Sequence, residues 1–200
     1  MLLRSAGFLV LAAALLVADA APLAAQGYEM DEKREMLNAG APRSRSYSFF
    51  GGWNDAIPKT TVSYSGPENP GTIIINTAER RLYYVLDNGR AMRYGIGVGR
   101  VGFTWKGVKT VSAKKEWPSW TPPPQMLKRR PDLPRHMVGG EDNPLGARAM
   151  YLGSSLYRIH GSNEPETIGQ AVSSGCFRMT NDDVIDLYNR VKVGTKVIVQ

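Results

Sequence analysis

The chain has a single cysteine, Cys176, in the stretch Ser173-Ser174-Gly175-Cys176-Phe177-Arg178-Met179. One of its two histidines, His160, lies sixteen residues upstream in Ile159-His160-Gly161. A thiol reacts as the thiolate, and a free cysteine with a pKa of about 8.5 is only a few per cent ionised at neutral pH. A neighbouring imidazole accepts that proton and returns it to a leaving amine, an assistance worth roughly 10²–10⁴-fold. The pair therefore offers nucleophilic acyl transfer. The oxyanion of such a reaction needs donors, each worth about 3–4 kcal/mol at the transition state. Backbone N–H groups of Ser174, Gly175 and Cys176 can serve, and Gly175 adds the freedom to turn them toward one point. The imidazole needs an acceptor that fixes its tautomer. No acidic residue adjoins His160, but the Gly161 carbonyl can play that part. Arg178 can hold a substrate carboxylate with its forked guanidinium or pin the loop by binding carbonyls.

Other chemistry fits less well. A lone cysteine is an inert buried thiol, an intermolecular link or a nucleophile. The second histidine, His136, sits in a long Arg- and Pro-rich stretch, a less rigid mount for a base than a strand end. A zinc site would need a short-spaced ligand pair, which the sequence lacks. No zinc is expected on this ground.

The elements around this pair begin with an export signal. Arg4 precedes an apolar run from Ala6 to Ala18, followed by small residues and Pro22. That is the order of a secretory signal, assigned to residues 1–25. The run is shorter than the roughly 20 residues of a membrane span, so no span is expected once the signal is cleaved. Export sharpens the meaning of Cys176, because exported domains use cysteines in pairs. Residues 26–70 are polar and irregular and read as a tether, with Tyr47, Phe49, Phe50 and Trp53 as its aromatic exceptions. The formal charge of +7 fits an acidic partner: nucleic acid, anionic lipid or an anionic wall polymer. The signal argues against nucleic acid.

Residues 71–200 read as one mainly β, β-sandwich-like domain. Strands are expected at 72–76, 81–86, 91–98, 107–116, 148–152, 156–160 and 196–199. Asp87-Asn88-Gly89 marks a hairpin. Gly95, Gly97 and Gly99 leave one face bare for a close neighbour. Trp117-Pro118-Ser119-Trp120-Thr121-Pro122-Pro123-Pro124 and the following residues to about 144 read as a loop, either a wall or lid over the site or a packed loop whose tryptophans cover the core edge. Trp117, Trp120 and Tyr151 are the candidate substrate contacts. Thr180 with Asp183 opens a short helix whose apolar face carries Val184, Leu187, Tyr188 and Val191, and Gly194 stops it.

At these residues the chain resembles the L,D-transpeptidase catalytic domain of bacterial cell-wall enzymes. The shared pattern is His-Gly followed by Ser-x-Gly-Cys-x-Arg, here His160-Gly161 and Ser173 to Arg178. Asn143-Pro144-Leu145-Gly146, Tyr151-Leu152-Gly153, Ile168-Gly169 and Gly194-Thr195-Lys196-Val197 extend the likeness over roughly 71–200. The resemblance implies a β-sandwich-like fold with Cys176 as nucleophile, His160 as base, the Gly161 carbonyl as its orienter and the Ser174, Gly175 and Cys176 amides as oxyanion donors. It implies a periplasmic enzyme without cofactor, sensitive to carbapenems. Its substrate would be a peptidoglycan tetrapeptide stem, attacked at the carbonyl of the position-3 diamino acid with release of D-alanine. The acceptor would be an amine of another stem or of an outer-membrane protein; water as acceptor would make it an L,D-carboxypeptidase. A non-enzymatic wall-binding protein is the reading from a different class. Two positions depart from the family pattern: Ser174 stands where many members have His, and Thr104-Trp105-Lys106-Gly107 replaces Thr-Pro-x-Gly.

Overall fold

A computed structural model describes residues 57–200. The expected signal, most of the tether and its four aromatics lie outside the described residues. The described chain is mainly β, as expected. β1 (Thr60–Ser63) falls within the stretch assigned to the tether and forms an edge strand on β4 (Arg90–Gly95). β2 (Ile73–Asn76) and β3 (Arg81–Leu86) precede β4, and the hairpin joining β3 to β4 turns where expected. Asn88 and Gly89 both take positive φ, 59° and 62°, matching the right-handed twist of paired strands.

The strand expected to run to Val98 ends instead at Gly95. Gly97 bridges to Arg178, and β5 (Val98–Gly99) pairs with β9 (Ala171–Ser173). The bare glycine face works as foreseen: a Cβ on Gly99 would lie 2.6 Å from the Phe103 carbonyl oxygen and 3.2 Å from Gly175 Cα. Gly99 thus lets the cysteine loop sit directly on the β5 backbone.

β6 (Gly107–Glu116) is the long strand. Its first residues pair with β11 (Lys196–Val199) and its later ones with β7 (Arg148–Leu152). A register shift between Val111 and Ala113 marks the change of partner, and such bulges bend a sheet. β8 (Arg158–His160) and β10 (Phe177–Arg178) complete a curled nine-stranded sheet in the order β1-β4-β3-β2-β11-β6-β7-β8-β10. β11, last in chain order, lies near its centre.

The core gathers Ile73, Ile75, Leu82, Tyr94, Met150, Leu152, Ile159, Phe177 and Val197 from the strands. The helix α2 (Asn181–Arg190) adds Val184 and Leu187, with Val191 just beyond it. Thr180 Oγ1 caps α2 by accepting from the Asp183 N–H at 3.2 Å, as its sequence indicated. At the other end Lys114 Nζ donates to the carbonyls of Tyr188 and Val191 at 2.6 and 2.5 Å. A cation there satisfies orphan carbonyls and complements the helix dipole. This clamp ties α2 to β6.

The stretch from Trp117 to Pro144 is not wholly loop. It contains a six-residue helix, α1 (Pro124–Arg129), with proline at its first position. Proline fits there because that N–H has no helical partner and φ is preset. Trp120 and Met137 exchange backbone hydrogen bonds, both at 2.8 Å, across the stretch.

Candidate active site

Strand alternation assembles the site. β10 runs parallel to β8, with Phe177 opposite Ile159 and Arg178 opposite His160. Phe177 and Ile159 are both buried in the core. Successive side chains of a strand point to opposite faces. Arg158, His160 and Arg178 therefore share the other face, and Cys176 enters β10 immediately before the paired residues, on the side of Arg158. The Met179 N–H donates to the His160 carbonyl at 2.8 Å and fixes this register.

His160 is buried, and its Nδ1 lies 2.6 Å from the Gly161 carbonyl oxygen. A carbonyl only accepts, so Nδ1 carries the proton and Nε2 keeps its lone pair. Burial pushes the His160 pKa down to about 3; the Arg178 guanidinium lowers it further, the Gly161 hydrogen bond opposes, and Arg158 adds to the lowering. The imidazole is neutral at neutral pH and ready to accept a proton. The Cys176 thiol is pushed up by burial, against the pull of Arg158 and Arg178. The resting pair is thus thiol and neutral imidazole rather than thiolate and imidazolium. Cys176 stays partly exposed, with Sγ 3.7 Å from the Leu156 carbonyl oxygen.

The turn that carries Cys176 lies between β9 and β10, two short strands the sequence did not reveal. Gly175 takes φ of 101°, and a Cβ there would meet the Tyr157 ring at 2.7 Å. Ser173 Oγ donates to the Cys176 carbonyl at 2.6 Å and accepts from the Gly175 N–H at 3.2 Å. That bond occupies the Gly175 N–H, which had been expected among the oxyanion donors. The Ser174 and Cys176 N–H groups have no acceptor among the described residues.

Trp105 reaches this turn, a contact the sequence did not suggest. Its Nε1–H donates to the Gly175 carbonyl at 3.0 Å. Its ring stacks on Tyr157 with centroids 4.6 Å apart and lies tilted against Phe177 at 5.6 Å. The peptide joining Gly175 to Cys176 is planar and trans, so holding its C=O aims its N–H the opposite way. The departure from the family's Thr-Pro-x-Gly thus has a structural use: the residue in the proline's place braces the cysteine loop. Trp105→Phe keeps the ring and removes the donor. It is expected to slow acylation of Cys176 by a carbapenem about tenfold, a fraction of what a direct oxyanion donor contributes. Alkylation by iodoacetamide, which forms no oxyanion, should keep its rate; equal slowing of both would reject this role.

The other nominated residues fall differently. Arg178 Nη1 pairs with Glu164 Oε2 at 3.1 Å and lies 3.4 Å from Thr167 Oγ1, so it ties β10 to the 3₁₀ turn at Pro165–Thr167. These partners are a carboxylate and a hydroxyl rather than the carbonyls expected. Trp117 takes an unusual φ of 39°, and its N–H donates to Ala147 O at 2.8 Å. Neither Trp117 nor Trp120 is hydrogen-bonded to or stacked on the Cys176 turn among the described residues. Tyr151 stands on β7 opposite Arg158, whose guanidinium carbon lies 5.2 Å from its ring centroid. His136 is held at 2.9 Å from Thr121 Oγ1 in the 117–144 stretch.

The model of the YkuD family, the L,D-transpeptidase catalytic domain, matches residues 70–199. The chain belongs to the L,D-transpeptidase family. It is 42% identical over 134 residues to the probable L,D-transpeptidase ErfK/SrfK of Escherichia coli K12, covering 62% of this chain and 42% of that one. It is 38% identical over 151 residues to the probable L,D-transpeptidase YcfS of the same organism, covering 70% and 47%. The chain spans less than half the length of these two relatives. Among solved structures, an L,D-transpeptidase from Mycobacterium smegmatis aligns with a TM-score of 0.52 at 19% identity, over 64% of this chain and 58% of that one. L,D-transpeptidase 3 from Mycobacterium tuberculosis aligns with a TM-score of 0.51 at 17% identity, over 64% and 60%. These two structures share the fold of this L,D-transpeptidase family member.

Proposed function

We propose that the chain is an exported peptidoglycan L,D-transpeptidase acting in the periplasm. The observation that carries the reading is the neutral His160 imidazole, locked by the Gly161 carbonyl with Nε2 unprotonated, on the strand beside the nucleophile's. In the first half-reaction His160 takes the Cys176 proton, and sulfur bonds to the carbonyl carbon of the position-3 diamino acid of a tetrapeptide stem. The Cys176 and Ser174 N–H groups receive the oxyanion. The C–N bond to the terminal D-alanine breaks, and His160 returns the proton to its amine. In the second half an amine attacks the thioester, its proton passes through His160, and the C–S bond breaks to restore the thiol.

The acceptor amine belongs to a second stem or to an outer-membrane protein. Family membership supports the reaction type, and the basic charge of +7 supports an anionic wall as its setting. The test is mass spectrometry of purified tetrapeptide muropeptides after incubation with the protein. A cross-linked dimer is the expected product. Tripeptide alone would mean that water replaces the amine, an L,D-carboxypeptidase. No change, with or without an added acceptor protein, would favour a wall-binding role.

A further inference from the structure

Two guanidinium groups share the face that presents Cys176 and His160, and they are not equivalent. Arg178 is paired with Glu164 at 3.1 Å. Arg158 has no carboxylate partner among the described residues. Its Nη1 donates to the Leu156 carbonyl at 3.1 Å, the same oxygen that lies 3.7 Å from Cys176 Sγ. The thiol and the guanidinium are therefore immediate neighbours around one acceptor. The Tyr151 ring supports the guanidinium from β7. Arg158 Nε is buried and has no hydrogen-bond acceptor among the described residues.

A buried donor without an acceptor costs free energy unless a ligand completes it. A planar fork braced on an aromatic ring, with no carboxylate partner among the described residues, is the arrangement that receives a carboxylate bidentately. We propose that Arg158 is the specificity residue for the donor substrate, binding the C-terminal carboxylate of the residue that leaves. This rests on the L,D-transpeptidase reading. In such a substrate the carboxylate is three bonds from the attacked carbon. A cation on the strand next to that of the nucleophile, with neighbouring strands about 4.8 Å apart, is at the reach this spacing demands. The role expected of Arg178 as a carboxylate clamp thus passes to Arg158, and Arg178 keeps the loop. The site selects free-acid stems ending one residue past the attacked carbonyl. A pentapeptide, whose carboxylate lies a residue further on, leaves Arg158 unpaired.

The experiment compares wild type, Arg158→Gln and Arg158→Lys on a tetrapeptide stem and on its C-terminal carboxamide. Arg158→Gln is expected to raise KM for the free acid about 10- to 100-fold, the range for a lost hydrogen bond to a charged group. KM for the carboxamide should be the same for wild type and variant. Arg158→Lys, which keeps charge but not the fork, should fall between. Equal losses on acid and amide, with an upward shift of the iodoacetamide pH profile, would overturn the proposal and leave Arg158 as a thiolate partner only. A second readout does not depend on turnover. Acetyl-D-alanine should protect Cys176 of the wild type from iodoacetamide, saturably, and protect Arg158→Gln at least tenfold less well. Protection equal in both proteins, or absent in both, overturns the carboxylate site. Wild type inert on both stems but protected by acetyl-D-alanine would instead reject the transpeptidase reading and retain the site.

Discussion

Cys176→Ala is expected to abolish acyl-enzyme formation while leaving the fold intact. The described residues contain no second thiol, and the Ser173 hydroxyl in the same turn is bound to the Cys176 carbonyl and the Gly175 N–H. Removing the nucleophile of a covalent mechanism leaves only binding and oxyanion stabilisation, neither of which makes a thioester. Little structure depends on the sulfur. It is partly exposed, its contact with the Leu156 carbonyl is long at 3.7 Å, and Cys to Ala deletes one atom. The turn is held by Ser173, Trp105 and the β10–β8 register, none of which involves Sγ. Intact-mass spectrometry with a carbapenem should show a single adduct on the wild type and none on the variant, at unchanged melting temperature within about 2 °C. An adduct on the variant would move the nucleophile elsewhere.

His160→Ala is expected to slow acylation by roughly 10²–10⁴-fold at neutral pH, the range for a general base. Its pH dependence is the sharper test. With the imidazole pKa depressed to about 3, the wild type has its base available throughout pH 5–8. Its acylation rate should be nearly flat there. The variant must rely on the thiolate fraction, so its rate should climb about tenfold per pH unit until the raised thiol pKa is reached. Parallel profiles would remove His160 from proton transfer.

The same shift is visible in stability. The folded-state pKa lies below the unfolded value of about 6.5, so between the two the unfolded chain binds a proton that the native state refuses. The stability attached to neutral His160 is present in full above pH 6.5. It is lost as pH falls toward 3, by up to about 1.4 kcal/mol per unit. Denaturant unfolding of wild type and His160→Gln should diverge with that slope below pH 6.5 and run parallel above it.

Long patterned strands were legible. Arg81–Leu86, Gly107–Glu116, Arg148–Leu152 and Lys196–Val199 lie where their alternation or β-branched content put them, and α2 begins at its Thr180 cap. β9 and β10 were not legible, because strands of three and two residues carry no periodicity of their own. Their extended form comes from pairing with β5 and β8. The helix α1 hid behind a proline run that reads as loop, although proline at a first helical position is a start as much as a stop.

In the site, the chemical types of Cys176 and His160 and the orienting Gly161 carbonyl could be named from residues alone. What stayed hidden was the division of labour. Only coordinates show that Ser173 holds the Gly175 N–H, that Trp105 holds the Gly175 carbonyl, and that Glu164 takes the charge of Arg178. Arg158 was within reach of the sequence, since it stands two residues before His160 on a strand and so shares its face.

The place of β11 has a consequence for how the molecule comes to fold. It is parallel to β2 on one side and antiparallel to β6 on the other, joining the strands before residue 99 to those after it. Until residues 196–199 are available, two half-sheets expose unpaired edges at β2 and β6, the kind of edge that recruits other chains. Closure requires a contact spanning more than a hundred residues between β2 and β11, which makes the search slow. Completion of the sheet therefore rests on that long-range pairing rather than on the local hairpins.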